Sequence, residues 1–250
     1  MSESAKKKEK NMKYGIIAAG EGSRLAAEGV KAPKPLVEVG GQPLIDRLLD
    51  VFVRHDAQQI AVICNDLHPE VYAHLQQLQR EGLYGTPLPL HVVVKTTPSS
   101  MHSFYELSKV LGEGMFCVTT VDTIFREADF DTYIRTFQSK VEEGCDGVMG
   151  VTDYIDDEKP LYVDADEHLR ITGFLDQCSH PKYISGGIYG LTTPALQVLQ
   201  RCMERGESRM RNFQRALIAH GLHLQAHPFS KVLDIDHATD IAKAEAFLQE

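Results

Sequence analysis

The chain has 250 residues, 43% apolar and 24% charged, which is the balance of an ordinary soluble protein with room for one large α/β domain. Its formal net charge of −9 argues against a nucleic-acid-binding surface, because contact with a phosphate backbone requires a basic face. Five cysteines without close spacing indicate neither a disulfide framework nor a Cys-x-x-Cys metal site. No apolar run approaches the roughly 18 residues of a membrane span, and no signal-peptide core is present near the first residue. We therefore expect a cytoplasmic protein that uses neither nucleic acid nor a membrane.

The hydrophobic pattern of the first half predicts a tail and then alternating strands and helices. Residues 1–12 are polar and rich in lysine, so we expect a disordered tail, followed by a single domain over residues 13–250. Strands are predicted in the first part of 14–25 and at 59–65, 91–94 and 115–120, and helices at 44–54, 69–80 and 102–111. This alternation predicts a mainly parallel sheet that binds ligands at the carboxyl ends of its strands.

Beyond residue 145 the predicted elements become shorter. Strands are predicted at 147–152, 161–165, 168–175, 183–191, 223–227 and 231–235, and helices near 194–204, 209–220 and 238–249. The turn between the second and third of these strands resembles that of a hairpin. We therefore expect a mixed or antiparallel second half that continues the sheet of the first.

A glycine-rich turn after the first strand is the strongest local feature. Gly20 and Gly22 allow the backbone N–H groups of residues 19–23 to point towards one anion. Arg24 and Lys34 bring two positive charges to the same place. A Gly-x-Gly pair alone often marks only a tight turn. Together with both cations and the Pro-Lys-Pro-Leu that follows, it predicts a polyphosphate-binding loop.

Residues 17–25 and 33–36 resemble the signature of the nucleotidyltransferases that make nucleotide sugars and related activated alcohols. That signature is Leu-Ala-Ala/Gly-Gly-x-Gly-Thr/Ser-Arg-Leu, then Pro-Lys-Pro-Leu, and the departure here is Ile17. The glycine spacing fits neither the dinucleotide fingerprint nor a Walker loop. The resemblance implies a Rossmann-like, three-layer α/β/α fold of the nucleotidyltransferase (GT-A) type with a mixed, mainly parallel central sheet. It also implies transfer of a nucleoside monophosphate from a nucleoside triphosphate to a sugar 1-phosphate, with release of pyrophosphate.

The resemblance also gives roles to the residues of the loop. Arg24 is expected to hold the departing phosphates, and Lys34 to stabilise the charge that grows at the α-phosphate. The attacking phosphate oxygen is already anionic near pH 7, so no strong general base is required. The residues expected to bind the nucleotide are Ala18, Ala19, Gly20, Glu21, Gly22, Ser23 and Ser100.

Two acidic segments are predicted to hold Mg²⁺, which binds phosphates together with one or two carboxylates. Asp122 follows a buried strand and resembles the family's Gly-Asp position, with Val121 in place of the glycine. Residues 231–241 are similar to the family's Asp-x-Asp/Gly-Thr-Pro-Glu-Asp-Leu segment before the last helix. If this segment is extended, Asp234 and Asp236 project to the same side. Asp234 is the preferred metal ligand and Asp236 the next.

The acceptor-binding side gives a mixed signal. Residues 185–191 resemble the sugar-binding Gly-Ile-Tyr strand of sugar-1-phosphate nucleotidyltransferases, and Gly187 is the expected substrate contact. Residues 174–178 stand in the place of the family's Glu-Lys-Pro, so the lysine that binds the sugar phosphate is missing, and Lys182 is an alternative cation. Base selection is expected to come from the backbone of residues 18–20 and from the segment 96–103. Within that segment, residues 100–103 are similar to the cytidylyltransferases that activate phosphocholine-like alcohols. The base and the acceptor therefore stay open.

Two other classes of protein use related parts. A glycosyltransferase that consumes a nucleotide sugar would favour an Asp-x-Asp metal motif after the fourth strand, where this chain has Asp-Thr-Ile at 122–124. A non-catalytic nucleotide sensor is disfavoured by the intact Arg24, Lys34 and Asp122. The expected partners are a nucleoside triphosphate and a small phosphorylated acceptor. A CTP-dependent cytidylyltransferase acting on a phosphocholine-like alcohol phosphate is the nearest alternative.

Overall fold

The computed structural model describes residues 12–156 and 158–249. The predicted tail lies outside them except for Met12, which corrects its boundary by one residue: Met12 is buried and begins the first strand. The strands of the first half are β1 (Met12–Ala18), β2 (Glu38–Val39), β3 (Gln42–Pro43), β4 (Ala57–Cys64), β5 (Leu90–Val94), β6 (Phe116–Thr120) and β7 (Thr123–Ile124). Its helices are α1 (Ser23–Ala27), α2 (Leu44–Arg54), α3 (Pro69–Glu81), α4 (Ser100–Leu111) and α5 (Glu127–Glu142), with a 3-10 turn at Lys34–Leu36.

The second half contains the shorter strands that the pattern predicts. They are β8 (Gly147–Thr152), β9 (Tyr162–Ala165), β10 (Ile171–Leu175), β11 (Tyr183–Leu191), β12 (Leu224–Phe229) and β13 (Leu233–Asp234). The helices are α6 (Thr193–Glu204), α7 (Met210–Ala219) and α8 (Ala238–Gln249). Among the described residues, no helix is long and apolar enough to cross a membrane.

One mixed sheet of nine strands runs through both halves, in the order β10-β9-β11-β6-β1-β4-β5, with β8 paired to β11 and β12 to β8. The neighbours β6, β1, β4 and β5 are parallel, whereas β11 is antiparallel to β6. The predicted continuation of the sheet into the second half is therefore confirmed. β1, which carries the glycine-rich loop at its end, lies between two parallel neighbours.

Helices cover both faces of this sheet. Successive side chains of β1 point to opposite faces, because side chains alternate along a strand. Ile16 packs in one core cluster with Phe52 of α2, and Ile17 packs in the other with Phe104 of α4. Helices α2, α3 and α5 contribute to the first cluster, and α4, α6 and α7 to the second. The predicted three-layer α/β/α architecture is thus confirmed.

Candidate active site

The carboxyl ends of β1 and β6 place two predicted groups side by side. Ile17 lies opposite Thr120 in the parallel ladder, and the N–H of Val121 donates to the carbonyl of Ile17 over 3.1 Å. The glycine-rich loop follows β1, and Asp122 follows β6. Both therefore lie at the edge where ligands bind to open α/β sheets.

Gly22 shapes the turn of this loop. Its φ of +63° lies in the left-handed region that favours glycine, and it stands directly before the short helix α1. A Cβ at this position would lie 3.1 Å from the Cβ of Lys34. Glycine at position 22 thus permits the left-handed turn and also lets Lys34 pack against the loop.

A buried amide that is not among the residues predicted from the sequence holds the loop from behind. Asn65 follows β4, is 3% exposed, and donates from Nδ2 to the carbonyls of Ala19 (3.3 Å) and Gly20 (3.2 Å). Its Oδ1 accepts the N–H of Leu67 over 3.2 Å. Both loop carbonyls are thereby bound to a donor and kept from facing an anion. The sequence signal for Asn65 is the one used for Asp122, a polar residue directly after a buried apolar run.

Four charged side chains form one ion network beside the loop. The Nζ of Lys34 contacts the carboxylates of Asp122 and Asp236, the latter at 2.7 Å. The other oxygen of Asp236 accepts from Arg24 over 2.8 Å. Both predicted catalytic cations and two of the predicted metal ligands therefore meet, although Arg24 and Asp236 are 212 residues apart.

The charges of this network reinforce each other. Burial lowers the pKa of the Lys34 ammonium, but the carboxylates of Asp122 and Asp236 outweigh this effect and raise the pKa above its ordinary value. Burial raises the pKa of Asp236, but Lys34 and Arg24 outweigh it and lower the pKa. Lys34 and Asp236 are therefore both charged at neutral pH.

A second contact ties the glycine-rich loop to the segment that carries Asp236. Glu28, which follows α1, accepts from the ring of His237 over 2.6 Å and from the N–H of Ala238 over 2.7 Å. The hydrogen bond to Glu28 raises the pKa of His237. Asp240, in the first turn of α8, accepts the N–H groups of Asp236 and His237. The acidic segment is thus held from both sides.

Backbone pairing holds the segment of Asp234 beside that of Asp122. It pairs with Thr123 in the two-stranded ladder of β13 and β7, and the N–H of Ile235 donates to the carbonyl of Asp122 over 3.1 Å. Burial raises the pKa of Tyr189, and the negative charges of Asp234 and Asp122 raise it further. Both carboxylates therefore act on one buried hydroxyl.

These carboxylates fit a divalent cation. One ammonium nitrogen already reaches oxygens of Asp122 and Asp236, so a single positive charge can contact both. Carboxylate oxygens are hard ligands of the kind that Mg²⁺ binds. Among the described residues, no group of three or more His, Cys, Asp or Glu side chains is arranged to hold a metal. A metal here would take its remaining ligands from phosphate or water oxygens.

Two cavities open on either side of the ion network. The larger, of about 420 Å³, is lined by residues that include Ala19, Gly20, Glu21, Lys34, Ser100 and Asp122. The smaller, of about 240 Å³, is lined by residues that include Arg24, Tyr154, Gly186, Asp234 and Asp236. Lys34 lines the larger cavity and Asp236 the smaller one, so the contact between these two side chains lies between the cavities. The other residues predicted to bind the nucleotide, Ala18 at the end of β1, Gly22 in the loop and Ser23 at the start of α1, are not among the lining residues.

Hydroxyl groups surround the start of α4 in the larger cavity. The Oγ of Ser99 lies 2.9 Å from Nδ1 of His102, and the Oγ1 of Thr97 lies 2.6 Å from the Oγ of Ser103. Ser100 is the first residue of α4. This segment, in which the sequence predicts base recognition, is therefore held by its own side-chain hydrogen bonds.

The residues predicted for the acceptor are only partly brought to the smaller cavity. Gly187 has a φ of +70°, and a Cβ there would lie 2.9 Å from the Oγ1 of Thr123 and 3.0 Å from that of Thr120. Its neighbour Gly186 lines the cavity. Lys182 lies over the ring of Tyr183, 5.0 Å from the centroid, and lines neither cavity.

Several known proteins resemble this chain. It is 36% identical to the glucose-1-phosphate cytidylyltransferase of Salmonella typhimurium over 53 residues, which cover 21% of each chain. It is 31% identical to the N-acetylmuramate alpha-1-phosphate uridylyltransferase of Caulobacter vibrioides over 112 residues, 45% of this chain and 46% of the relative. These matches span less than half of the curated relatives' length. The solved CTP:phosphocholine cytidylyltransferase of Streptococcus pneumoniae shares the fold, with a TM-score of 0.74 and 17% identity over 95% of this chain and 99% of that chain.

A family model covers nearly the whole chain. The model described as "Nucleotidyl transferase" matches residues 14–250, which contain the glycine-rich loop, the ion network and both cavities. The resemblance seen in the loop is therefore confirmed along the sequence. The chain belongs to the nucleotidyl transferase family.

Proposed function

We propose that this protein transfers a nucleoside monophosphate from a nucleoside triphosphate to a sugar 1-phosphate and releases pyrophosphate. One observation carries the proposal: Lys34 and Arg24 meet acidic side chains at the junction of two cavities, one of them bounded by the glycine-rich loop. A triphosphate in the larger cavity and an acceptor in the smaller one would meet at this junction. Such positioning supplies a large part of the catalysis in phosphoryl and nucleotidyl transfer.

The chain's residues serve this reaction through charge neutralisation. The phosphate oxygen of the acceptor, anionic near pH 7, attacks the α-phosphorus in line, while the bond to the β-phosphate breaks and pyrophosphate leaves. Lys34 would donate to the α-phosphate and Arg24 to the departing phosphates, each exchanging its contact with Asp236 for the triphosphate. The backbone N–H groups of residues 19–23 would bind the same anion.

Mg²⁺ would be held by Asp122 together with Asp234 or Asp236, and when bound it supplies further positive charge to the phosphate oxygens. The shared contact of Lys34 with two of these carboxylates supports this assignment. Lys34 and Arg24 together offset the negative charges of Asp122 and Asp236. The two cations therefore reduce the repulsion between the carboxylates.

A sugar 1-phosphate is the preferred acceptor because two of the curated relatives are named for glucose 1-phosphate and N-acetylmuramate 1-phosphate. The backbone supports this choice. The register of β11 shifts between Ser185 and Ile188, and Gly186, which lies within this irregularity, lines the smaller cavity with backbone alone. A ring with several hydroxyl groups can lie against such exposed backbone.

A CTP-dependent enzyme for a phosphocholine-like alcohol phosphate is the second candidate, and the segment 174–178 favours it. The family's Glu-Lys-Pro would stand here, but this chain has no lysine in the segment. Its Asp176 binds Arg211 over 2.7 Å and Arg215 over 2.6 Å. The phosphate of the acceptor must therefore be bound differently from that of the sugar-1-phosphate enzymes.

A pyrophosphate-release assay tests the proposal by crossing CTP, UTP, dTTP, ATP and GTP with several sugar 1-phosphates and phosphocholine. We expect release with a sugar 1-phosphate, its loss with EDTA and its recovery with Mg²⁺. Arg24→Ala should lower kcat by about 10²-fold. Lys31→Ala is the matched control, since Lys31 is an exposed cation between α1 and the 3-10 turn that begins at Lys34. Release with phosphocholine alone would favour the second candidate, and no release with any pair would refute both.

A further inference from the structure

The residue before α7 has a backbone conformation that its type rarely adopts. Arg209 has φ 72° and ψ 137°. Among the described residues, the other non-glycine positions with positive φ are Asp56, Tyr84 and Leu169. A residue with a Cβ is destabilised in this conformation, whereas a glycine is not. Such a conformation persists where the surrounding structure enforces it. Arg209 therefore occupies this position although its backbone conformation is unfavourable for arginine.

The backbone of Arg209 contacts a residue that lines the larger cavity. Its N–H donates to the Oγ of Ser99 over 3.1 Å, and Ser99 lines that cavity next to Ser100. The helix that follows is fixed against α4, because the ring of Phe213 packs on that of Phe104 with 5.5 Å between centroids and 63° between planes. The position of Arg209 beside the base-binding segment is thus set by both a hydrogen bond and core packing.

The charge of Arg209 is available, unlike the charges of the nearby Arg205, Arg211 and Arg215. Arg205 binds His220 over 2.8 Å, and Arg211 and Arg215 both bind Asp176. Within residues 12–156 and 158–249, the exposed guanidinium of Arg209 has no ion pair and no side-chain hydrogen bond. A free cation on an unfavourable backbone, anchored to a cavity-lining serine, points to a ligand.

Building on the proposed function, we propose that Arg209 contacts the base of the bound nucleotide and contributes to base selection. The phosphates already have Arg24, Lys34 and the loop N–H groups as donors, whereas the segment at Ser99 and Ser100 offers small hydroxyl groups and no cation. A guanidinium is planar and only donates, so it stacks on a base or binds carbonyl and ring-nitrogen acceptors. We therefore expect Arg209 to favour bases that present such acceptors near Ser99.

Equilibrium binding without turnover tests this role. Wild type, Arg209→Ala, Arg209→Gly and the control Arg205→Ala are titrated with CTP, UTP, ATP and GTP separately, and with inorganic tripolyphosphate. We expect both Arg209 variants to bind the preferred nucleotide about tenfold more weakly and tripolyphosphate within about twofold of wild type. Arg205→Ala should bind all of them as wild type does. Arg209→Gly should also unfold at a temperature a few degrees higher, since glycine relieves the backbone conformation.

Two results would overturn the inference and leave the proposed function standing. In one, Arg209→Gly binds every nucleotide as tightly as wild type does. In the other, nucleotide and tripolyphosphate lose the same factor, which would place the guanidinium on the phosphates. If wild type binds tripolyphosphate but discriminates among no nucleotides, base selection by Arg209 is also excluded. If wild type binds no nucleotide at all, the proposed function itself fails.

Discussion

Replacing Lys34 by alanine removes the centre of the ion network, and the structure sets the size of the effect. The lysine side chain is 12% exposed, and the variant leaves Asp122, 19% exposed, without its counter-ion. Breaking a buried ion pair costs about 3–5 kcal/mol, but Asp236 is 40% exposed and keeps Arg24, so solvent and that second cation reduce the loss. We expect the free energy of unfolding to fall by about 2 kcal/mol, which lowers Tm by about 4–8 °C in a chain of this size.

The same variant separates stability from catalysis. With the best substrate pair of the pyrophosphate-release assay, kcat should fall by about 10²-fold or more, measured well below the lowered Tm. In the absence of nucleotide, Mg²⁺ should raise the Tm of Lys34→Ala more than that of wild type, because the ammonium no longer competes for Asp122 and Asp236. Lys31→Ala should match wild type in kcat, in Tm and in the change of Tm with Mg²⁺. Wild-type kcat and Tm in Lys34→Ala would refute the role of the network.

Three further substitutions test other parts of the structure. Asn65→Ala removes the donor to two loop carbonyls. The KM for the triphosphate should therefore rise about tenfold, with little change in the KM for the acceptor. A triphosphate KM equal to that of wild type would exclude this role. Gly187→Ala, with φ +70° and Thr123 Oγ1 2.9 Å from the new Cβ, should lose about 1–3 kcal/mol in denaturant unfolding, and an unchanged midpoint would contradict the strain. The hydrogen bond to Asp46 raises the pKa of His74, so its stabilisation is present below about pH 6.5 and lost as the pH rises past the raised value. The difference in unfolding free energy between wild type and His74→Gln should therefore shrink with rising pH, and a constant difference would disprove the linkage.

The parallel half of the fold could be predicted because its signals are local. Buried strands such as β4 and amphipathic helices such as α2 each show their own apolar pattern over a few residues. Helix α5 was not among the predicted elements although Phe130, Tyr133, Ile134 and Phe137 follow helical spacing and are buried. The boundaries of the short strands, such as β13, depend on pairing with β7 and cannot be read from one segment.

The residues of the candidate site could be found one by one, but their relations could not. Motif spacing identifies Arg24, Lys34, Asp122 and Asp236 separately, whereas the sharing of one ammonium by two carboxylates follows from the sheet topology. The contact of Glu28 with the N–H of Ala238 also joins distant segments. The assignment of Asp234, Asp236 and Gly187 to metal and substrate stays a prediction. The positive φ of Arg209 has no sequence signal, since arginine is not a residue that favours it.

The distance along the chain between the two sides of the ion network has a consequence for protein synthesis. Domains begin to fold on the ribosome in the order in which their segments emerge. β1 and its loop leave the exit tunnel early, but Arg24 must wait for a residue 212 positions later. A nascent polypeptide that stalls before β13 would carry folded helices around an incomplete centre. We therefore expect the complete ion network to form only after the segment that carries Asp236 has emerged, and not in step with the growth of the sheet.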